Sequence, residues 1–177
     1  AGGRVGQADL GARLLSTNNF LEAQKLSKHL DQLNDERRQI EETVRVQAFA
    51  QAQKRGFDAP LVWAAAEDWH PGVGGIVAAR LKETTNRPAI VIGLDGKEGK
   101  GSGRSVSGID LGASVQNLAQ QGILLKGGGH KMAAGLTVSQ SLLEPAMEKL
   151  SVLLKKQGAD KLGFSDLCLD SVLMPAA

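Results

Sequence analysis

The sequence predicts an α/β protein in which a long N-terminal connecting helix precedes a mixed β-sheet domain flanked by helices. Three observations carry that reading. No glycine or proline stands between Asn19 and Gly56, so nothing interrupts a helix there. Residues 61–93 then read as an apolar run, a helical pattern and a second apolar run, the signature of a βαβ unit with a parallel strand pair. Finally, 12 of the 22 glycines lie between Gly93 and Gly135, the punctuation expected of short strands and turns.

Taken in order, the chain opens with a glycine turn holding Arg4, followed by a short helix over 8–15 with apolar Leu10, Ala12, Leu14 and Leu15. Asn19 with Glu22 three residues on resembles a capping box that opens the long helix. Leu26, Leu30, Leu33, Ile40 and Val44 form its apolar seam, interrupted at Arg37. If continuous over 20–55 it is about 54 Å long at 1.5 Å per residue, a length that suits a connector. Part of the seam is expected to stay exposed. Its charged face mixes signs and reads as solvated.

After Gly56, residues 61–66 predict a buried strand, Glu67 to Gly72 a loop, and residues 73–85 a helix. A second strand spans 88–93. Asp95-Gly96 marks a hairpin tip within 94–100, and 101–106 the returning strand. Ser107 or Asp110 caps a helix through Leu118 and Ala119. Leu124 and Leu125 lead into a triple-glycine loop, 134–138 is a short strand, and Ser139 or Ser141 caps a last helix ending at Lys156. Residues 163–174 alternate like a further strand.

Composition narrows the chemistry. The net charge is +2, so anion binding must come from local patches and not from a global field. The single cysteine, Cys168, excludes an internal disulfide and fits a reducing compartment, with the cytoplasm expected. No run approaches the ~20 apolar residues of a membrane span. The opening Ala1-Gly2-Gly3-Arg4 lacks an initiator methionine, and the chain is expected to be part of a longer polypeptide.

The densest chemistry lies in Lys126-Gly127-Gly128-Gly129-His130-Lys131 and in Gly101-Ser102-Gly103-Arg104-Ser105. Glycine lets backbone N–H groups approach an anion, and a guanidinium forks onto phosphate. Between Glu98 and Lys131 the only acid is Asp110. The pattern points to phosphate, with turns bearing solvated cations as the alternative. On this reading Ser102, Gly103, Arg104, Ser105, Gly127, Gly128, Gly129 and His130 bind the substrate, and Arg4, beside two glycines, either joins them or is a solvated turn residue. His70, before Pro71, is either a site residue or a packing neighbour of Trp69. With only His29, His70 and His130 as histidines, no metal-ligand spacing is present. Neither a nucleophile elbow, a dinucleotide fingerprint nor a P-loop is completed.

Trp69-His70-Pro71-Gly72, Gly75-Ile76-Val77-Ala78-Ala79-Arg80-Leu81-Lys82, Lys100-Gly101-Ser102-Gly103-Arg104-Ser105 and Gly128-Gly129-His130-Lys131-Met132-Ala133-Ala134-Gly135 resemble, in that order, the RecJ family of single-strand-specific DNA exonucleases in the DHH phosphoesterase superfamily. Gly3-Arg4 and Asn34-Asp35-Glu36-Arg37 with Ile40-Glu41 are similar to that family's connecting region. Two positions depart from it: Gly127 stands where an aromatic is usual, and Gly74 where a valine is usual.

The resemblance implies that 1–56 closes a catalytic-domain region and forms the connecting helix. It implies further that 57–160 is the DHH-associated, substrate-binding domain and that 161–177 leads to another domain. It also implies 5′-to-3′ digestion of single-stranded DNA in repair and recombination by a longer metal-dependent enzyme. The Mn or Mg ions would sit in an N-terminal catalytic domain; no metal would be held by this chain, which would be inactive alone. The glycine–histidine and Gly-Ser-Gly-Arg blocks would hold the DNA backbone and terminal phosphate. The same associated domain occurs in oligoribonucleases, cyclic-dinucleotide phosphodiesterases and alanyl-tRNA synthetases, and a non-catalytic anion-binding or assembly module is a further alternative.

Overall fold

A computed structural model describes residues 2–161; the strand expected over 163–174, the tail assigned to 161–177 and Cys168 lie outside the described residues or at their edge. The architecture is mixed α/β as expected. Two short helices, α1 (Gly2–Val5) and α2 (Asp9–Ser16), precede α3 (Phe20–Arg55), a single helix of 36 residues. Where a glycine turn was expected, Gly2 to Val5 close one helical turn.

Asn19 caps α3 by accepting hydrogen bonds at Oδ1 from the N–H groups of Leu21 (3.0 Å) and Glu22 (3.2 Å). Glu22 does not reach back to Asn19 as a capping box would. Its carboxylate instead accepts from Thr17 Oγ1 (2.7 Å) and Arg13 (3.2 Å), fastening α2 to α3. The Thr17 hydroxyl, then Arg13, hold the Glu22 carboxyl below its ordinary value of 4.5.

Of the seam of α3, Leu26, Leu33 and Val44 are buried, while Leu30 and Ile40 stay partly exposed. Leu26 and Leu33 are buried against Leu10, with Val5, Leu14 and Leu30 around them. Val44, Ala48 and Ala52 are buried in a second cluster with Trp69, Val73 and Val77. The seven-residue gap between Leu33 and Ile40 is where the helix changes partner, and Arg37 fills it by pairing with Glu41 and Asn34. The most exposed apolar side chains lie at the α2–α3 corner, where Leu15 is 90% and Phe20 78% accessible. No described helix is long and apolar enough to cross a membrane.

Five strands form one sheet in the order β1 (Val62–Glu67), β2 (Ala89–Asp95), β3 (Glu98–Arg104), β5 (Ala133–Ser139), β4 (Lys126–His130). β1 and β2 are parallel and joined by α4 (Pro71–Thr85); all other pairs are antiparallel. α5 (Leu111–Gln120) and α6 (Leu143–Lys156) complete the fold. The period of two in the strands divides the core. Trp63, Ile90, Ile92, Leu136 and Val138 face α5 and α6, while Val62, Ala64, Ala89 and Val91 face α3 and α4.

Several boundaries differ from the sequence reading for local reasons. α4 begins at Pro71 and not near Val73, because proline is favourable in a first helical turn and His70 Nδ1 accepts from the Gly72 N–H at 3.0 Å. The β2–β3 connection is a two-residue turn at Gly96-Lys97, with Gly96 at φ +60°, so β3 starts at Glu98. Asp110 caps α5 through the Ala113 N–H (2.9 Å). A 3-10 turn over Gln140–Leu142 separates β5 from α6, and Ser139 bonds Ser141 without capping a helix. The largest difference is the triple glycine, which forms strand β4 and not a loop.

The two sheet edges end differently. At β1, the Gln51 side chain from α3 donates to the Ala65 carbonyl (3.0 Å) and accepts from the Ala65 N–H (3.1 Å), standing in for a neighbouring strand. Arg55, one turn on, lies 3.9 Å over the Trp63 ring. An edge so occupied cannot template further pairing.

Gln51→Leu is expected to cost about 1–3 kcal/mol, the range for stranding backbone groups without partners, read as a lower urea midpoint at unchanged slope. Acid should loosen the α2–α3 corner in a defined direction. Because the folded Glu22 carboxyl is depressed, its contribution is full above the unfolded value and disappears as pH falls through the lower, folded one. Amide shifts of residues 17–23 should titrate with a midpoint below 4.5, and Thr17→Val should move that midpoint upward.

Candidate functional site

β3 reads Glu98-Gly99-Lys100-Gly101-Ser102-Gly103-Arg104, an alternation whose core-facing positions are all glycine. A Cβ at Gly99 would lie 2.8 Å from Ile92, one at Gly101 2.9 Å from Leu136, and one at Gly103 2.7 Å from Leu111. Neighbouring side chains thus occupy the volume the glycines vacate. The alternate residues Lys100, Ser102 and Arg104 project to the opposite face.

The antiparallel register carries this alternation across the sheet. Lys100 pairs with Thr137, which pairs with Lys126; Ser102 with Gly135 and then Gly128; Arg104 with Ala133 and then His130. Nine positions on three strands therefore share one face, basic residues at its corners and glycine at its centre. Rows are about 7 Å apart along the strands and outer columns about 10 Å apart across them.

α4 covers this face only as far as β3. A Cβ at Gly74 would sit 3.8 Å from Ser102 Cβ, and one at Gly75 would be 2.8 Å from the Arg104 guanidinium. Beyond β3 the face is open. A groove of about 420 Å³ lies there, lined by Lys100, Lys126, Gly128, Gly135 and Thr137 among others.

The basic side chains on this face lack carboxylate partners. Arg13, Arg37, Arg38, Arg45, Arg55 and Arg80 all have carboxylate partners. Among the described residues Lys100, Lys126, Arg104 and His130 have none. Arg104 commits Nη1 to the carbonyl of Gly103 (2.8 Å), which fixes the guanidinium while leaving other N–H donors available.

The expected site residues divide. Ser102, Arg104, Gly128 and His130 share one face of the sheet, Gly128 and His130 on its open part and Ser102 and Arg104, half-buried, at the edge that α4 overlies. Gly103 and Gly127 face the other way: a Cβ at Gly127 would be 2.7 Å from Val115 of α5, which rules out a larger side chain in this packing. Gly129 has φ +151° and no room for a Cβ beside Ala133 and Ala134, so its glycine serves the hairpin. Ser105 is 1% accessible, its hydroxyl donating to the Ile109 carbonyl (2.9 Å); it braces the loop before α5 and does not reach the groove.

Arg4 donates from Nη1 to the Gly72 carbonyl (3.2 Å), beside His70. Both lie toward the Lys100 end, because the Trp69 carbonyl rests against Gly93, the strand partner of Lys100. His70 itself is occupied as the helix cap, and Trp69 Nε1 donates to Gln47 (2.7 Å). Lys100, Lys126, Gly135 and Thr137 were not among the expected site residues. The signal that finds them is the shared two-residue step of Lys100, Ser102, Arg104 and Lys126, Gly128, His130, visible once both runs are read as strands. No group of three or more potential metal ligands occurs among the described residues.

Residues 58–156 match the DHHA1 domain, and the chain belongs to that family. Its relatives include RecJ exonucleases. The chain is 40% identical over 138 residues to the single-stranded-DNA-specific exonuclease RecJ of Bacillus subtilis, covering 77% of this chain and 17% of that protein. With the Escherichia coli RecJ it shares 33% identity over 183 aligned positions, 99% of this chain and 32% of that one. A crystal structure of Thermus thermophilus RecJ with Mn²⁺ superposes with a TM-score of 0.78 at 31% identity, over 88% of this chain and 22% of that one. The chain thus spans less than a third of these relatives' length.

The three glycines at the start of α4 should respond differently to substitution. Gly74→Ala meets only ordinary contacts and is expected to stabilise by about 0.5–1 kcal/mol through the helix interior. Gly72→Ala would drive a Cβ to 2.2 Å from the Arg4 carbonyl and should detach α1. Gly75→Ala should displace the Arg104 guanidinium with little loss of stability. Thermal unfolding, with Arg104 side-chain NMR, separates the three.

Proposed function

We propose that this chain is the DNA-holding part of a longer single-strand-specific 5′-to-3′ exonuclease of DNA repair and recombination in the cytoplasm. The observation that carries the reading is the open sheet face, where four basic side chains without carboxylate partners surround bare backbone. Similarity to RecJ proteins along most of the chain supports the same reading.

The groove's chemistry suits a sugar-phosphate backbone. Arg104 offers a fork to a phosphate oxygen, Ser102 a hydroxyl beside it, and His130 a second donor across the strand pair. The aromatic side chains described, Phe20, Phe49, Phe57, Trp63 and Trp69, all lie outside the open face, so it offers no platform on which bases could stack. Contacts of this kind position a strand without reading its sequence. RecJ structures contain Mn²⁺ or Mg²⁺; the described residues here do not form a site that fits such an ion. On this proposal a catalytic domain outside the chain holds the metals, and the groove presents the backbone, with its terminal phosphate, to that domain.

Arg104→Ala and His130→Ala should each weaken binding of a 5′-phosphorylated single-stranded oligonucleotide by roughly ten- to a hundredfold, the loss of a charge-assisted hydrogen bond. His29→Ala, on an exposed face of α3, should not. Amide shifts during titration check the map, and perturbations confined to α3 would overturn it. The chain alone should leave labelled single-stranded DNA intact in Mn²⁺; chelator-sensitive cleavage that co-purifies with it would contradict the division of labour.

A further inference from the structure

Resting on that phosphate reading, we infer that Gln157, an exposed side chain at the end of α6 and outside the groove, is a positioning residue for His130 and acts through the first turn of α5. His130 is the last residue of β4, and the turn that follows it, Lys131-Met132, is held from two sides. The Ser105 N–H donates to the Met132 carbonyl (2.9 Å), and the Leu111 N–H donates to the Lys131 carbonyl (3.1 Å). Leu111 begins α5, and α5 lies directly on the histidine: a Cβ at Gly112 would stand 2.7 Å from the His130 carbonyl oxygen and 2.8 Å from its nitrogen. With no side chain between the two backbones, a displacement of the α5 N-terminus passes straight to His130.

Gln157 sets where that N-terminus lies. Its carboxamide accepts from the Asp110 N–H at Oε1 (2.7 Å) and donates from Nε2 to the Ser114 hydroxyl (2.8 Å) and the Asp110 carbonyl (3.3 Å). It thereby engages both backbone groups of the residue that caps α5, as Gln51 engages Ala65. The Asp110 carboxylate is occupied within α5 by the Ala113 N–H, so it does not tie α5 to α6. The carboxamide also stands on a fixed base. Its own N–H donates to the Leu154 carbonyl (3.0 Å), Leu154 and Ala159 on either side are fully buried, and Gly158 at φ +93° ends the helix behind it. An exposed side chain covers little of the core; what Gln157 contributes is the placement of the first turn of α5, and with it of His130.

The test is a double-mutant cycle: the affinity of the 177-residue chain for a 5′-phosphorylated single-stranded oligonucleotide, with thermal unfolding recorded for every variant. Gln157→Ala should weaken binding about three- to tenfold, within the range for residues that act through intervening contacts. In the His130→Ala background it should cost no further affinity, within about twofold, while lowering the unfolding temperature as much as it does in the parent. In the Arg104→Ala background the full loss should remain, because Arg104 is held by its own strand and by the Gly103 carbonyl. In the unliganded protein, Gln157→Ala should move the His130 ring and amide signals and leave those of Lys100 in place. Unchanged affinity, or a loss that adds in full to that of His130→Ala, overturns the positioning role and leaves the phosphate groove standing. If His130→Ala and Arg104→Ala both bind as the parent does, the phosphate reading fails and this inference fails with it.

Discussion

The close approach of side chains to the core face of β3 is the constraint on which the rest of the molecule depends. A strand in the middle of a sheet ordinarily contributes side chains to both faces; β3 contributes none to one of them. Ile92, Leu136 and Leu111 fill the space over Gly99, Gly101 and Gly103, and each leaves less than 3 Å for a Cβ. Added atoms in such a site force neighbours off their rotamers, at a typical cost of about 1–3 kcal/mol. The glycines are thus fixed by the neighbours that pack over them, and the strand retains chemical variety on its other face alone.

That one-sidedness couples stability to chemistry. Because alternation in a strand is strict, holding glycine at 99, 101 and 103 obliges positions 100, 102 and 104 to share the opposite face. Pairing with β5 and β4 extends the obligation, so that Lys126, Gly128 and His130 fall on the same surface. A one-residue slip would bury Lys100 and Arg104 and expose nothing but glycine. The register is consequently specified by the cost of burying charge as much as by the apolar core.

What was legible in the sequence follows the strength of local signals. The 36-residue helix announced itself by unbroken composition and regular apolar spacing, and Asn19 and Asp110 by cap chemistry. The parallel pair followed from two apolar runs about a helix. The triple glycine was read as a loop because glycine has little intrinsic strand preference; its strand state comes from pairing with β5 and from α5 seated on Gly127, neither of which is local. Ser105 shows the converse failure. Adjacent in sequence to Arg104, it follows the strand's last residue, where the chain turns inward, and its hydroxyl serves the Ile109 carbonyl.

The open face also limits what kind of recognition this fold can supply. Helices α3 and α4 cover β1, β2 and part of β3 and bury Trp69, while Trp63 is buried on the opposite face of the sheet. The uncovered strands β5 and β4 are rich in glycine and small residues, so their surface offers charge and backbone but no ring on which a base could stack, the contact that commonly anchors single strands. Affinity from this surface must come from counterion release and a few charged hydrogen bonds, and it must fall steeply with salt. A surface of that kind is indifferent to base identity and permissive to sliding. Those properties suit the proposed role of steadying a strand and not that of reading it.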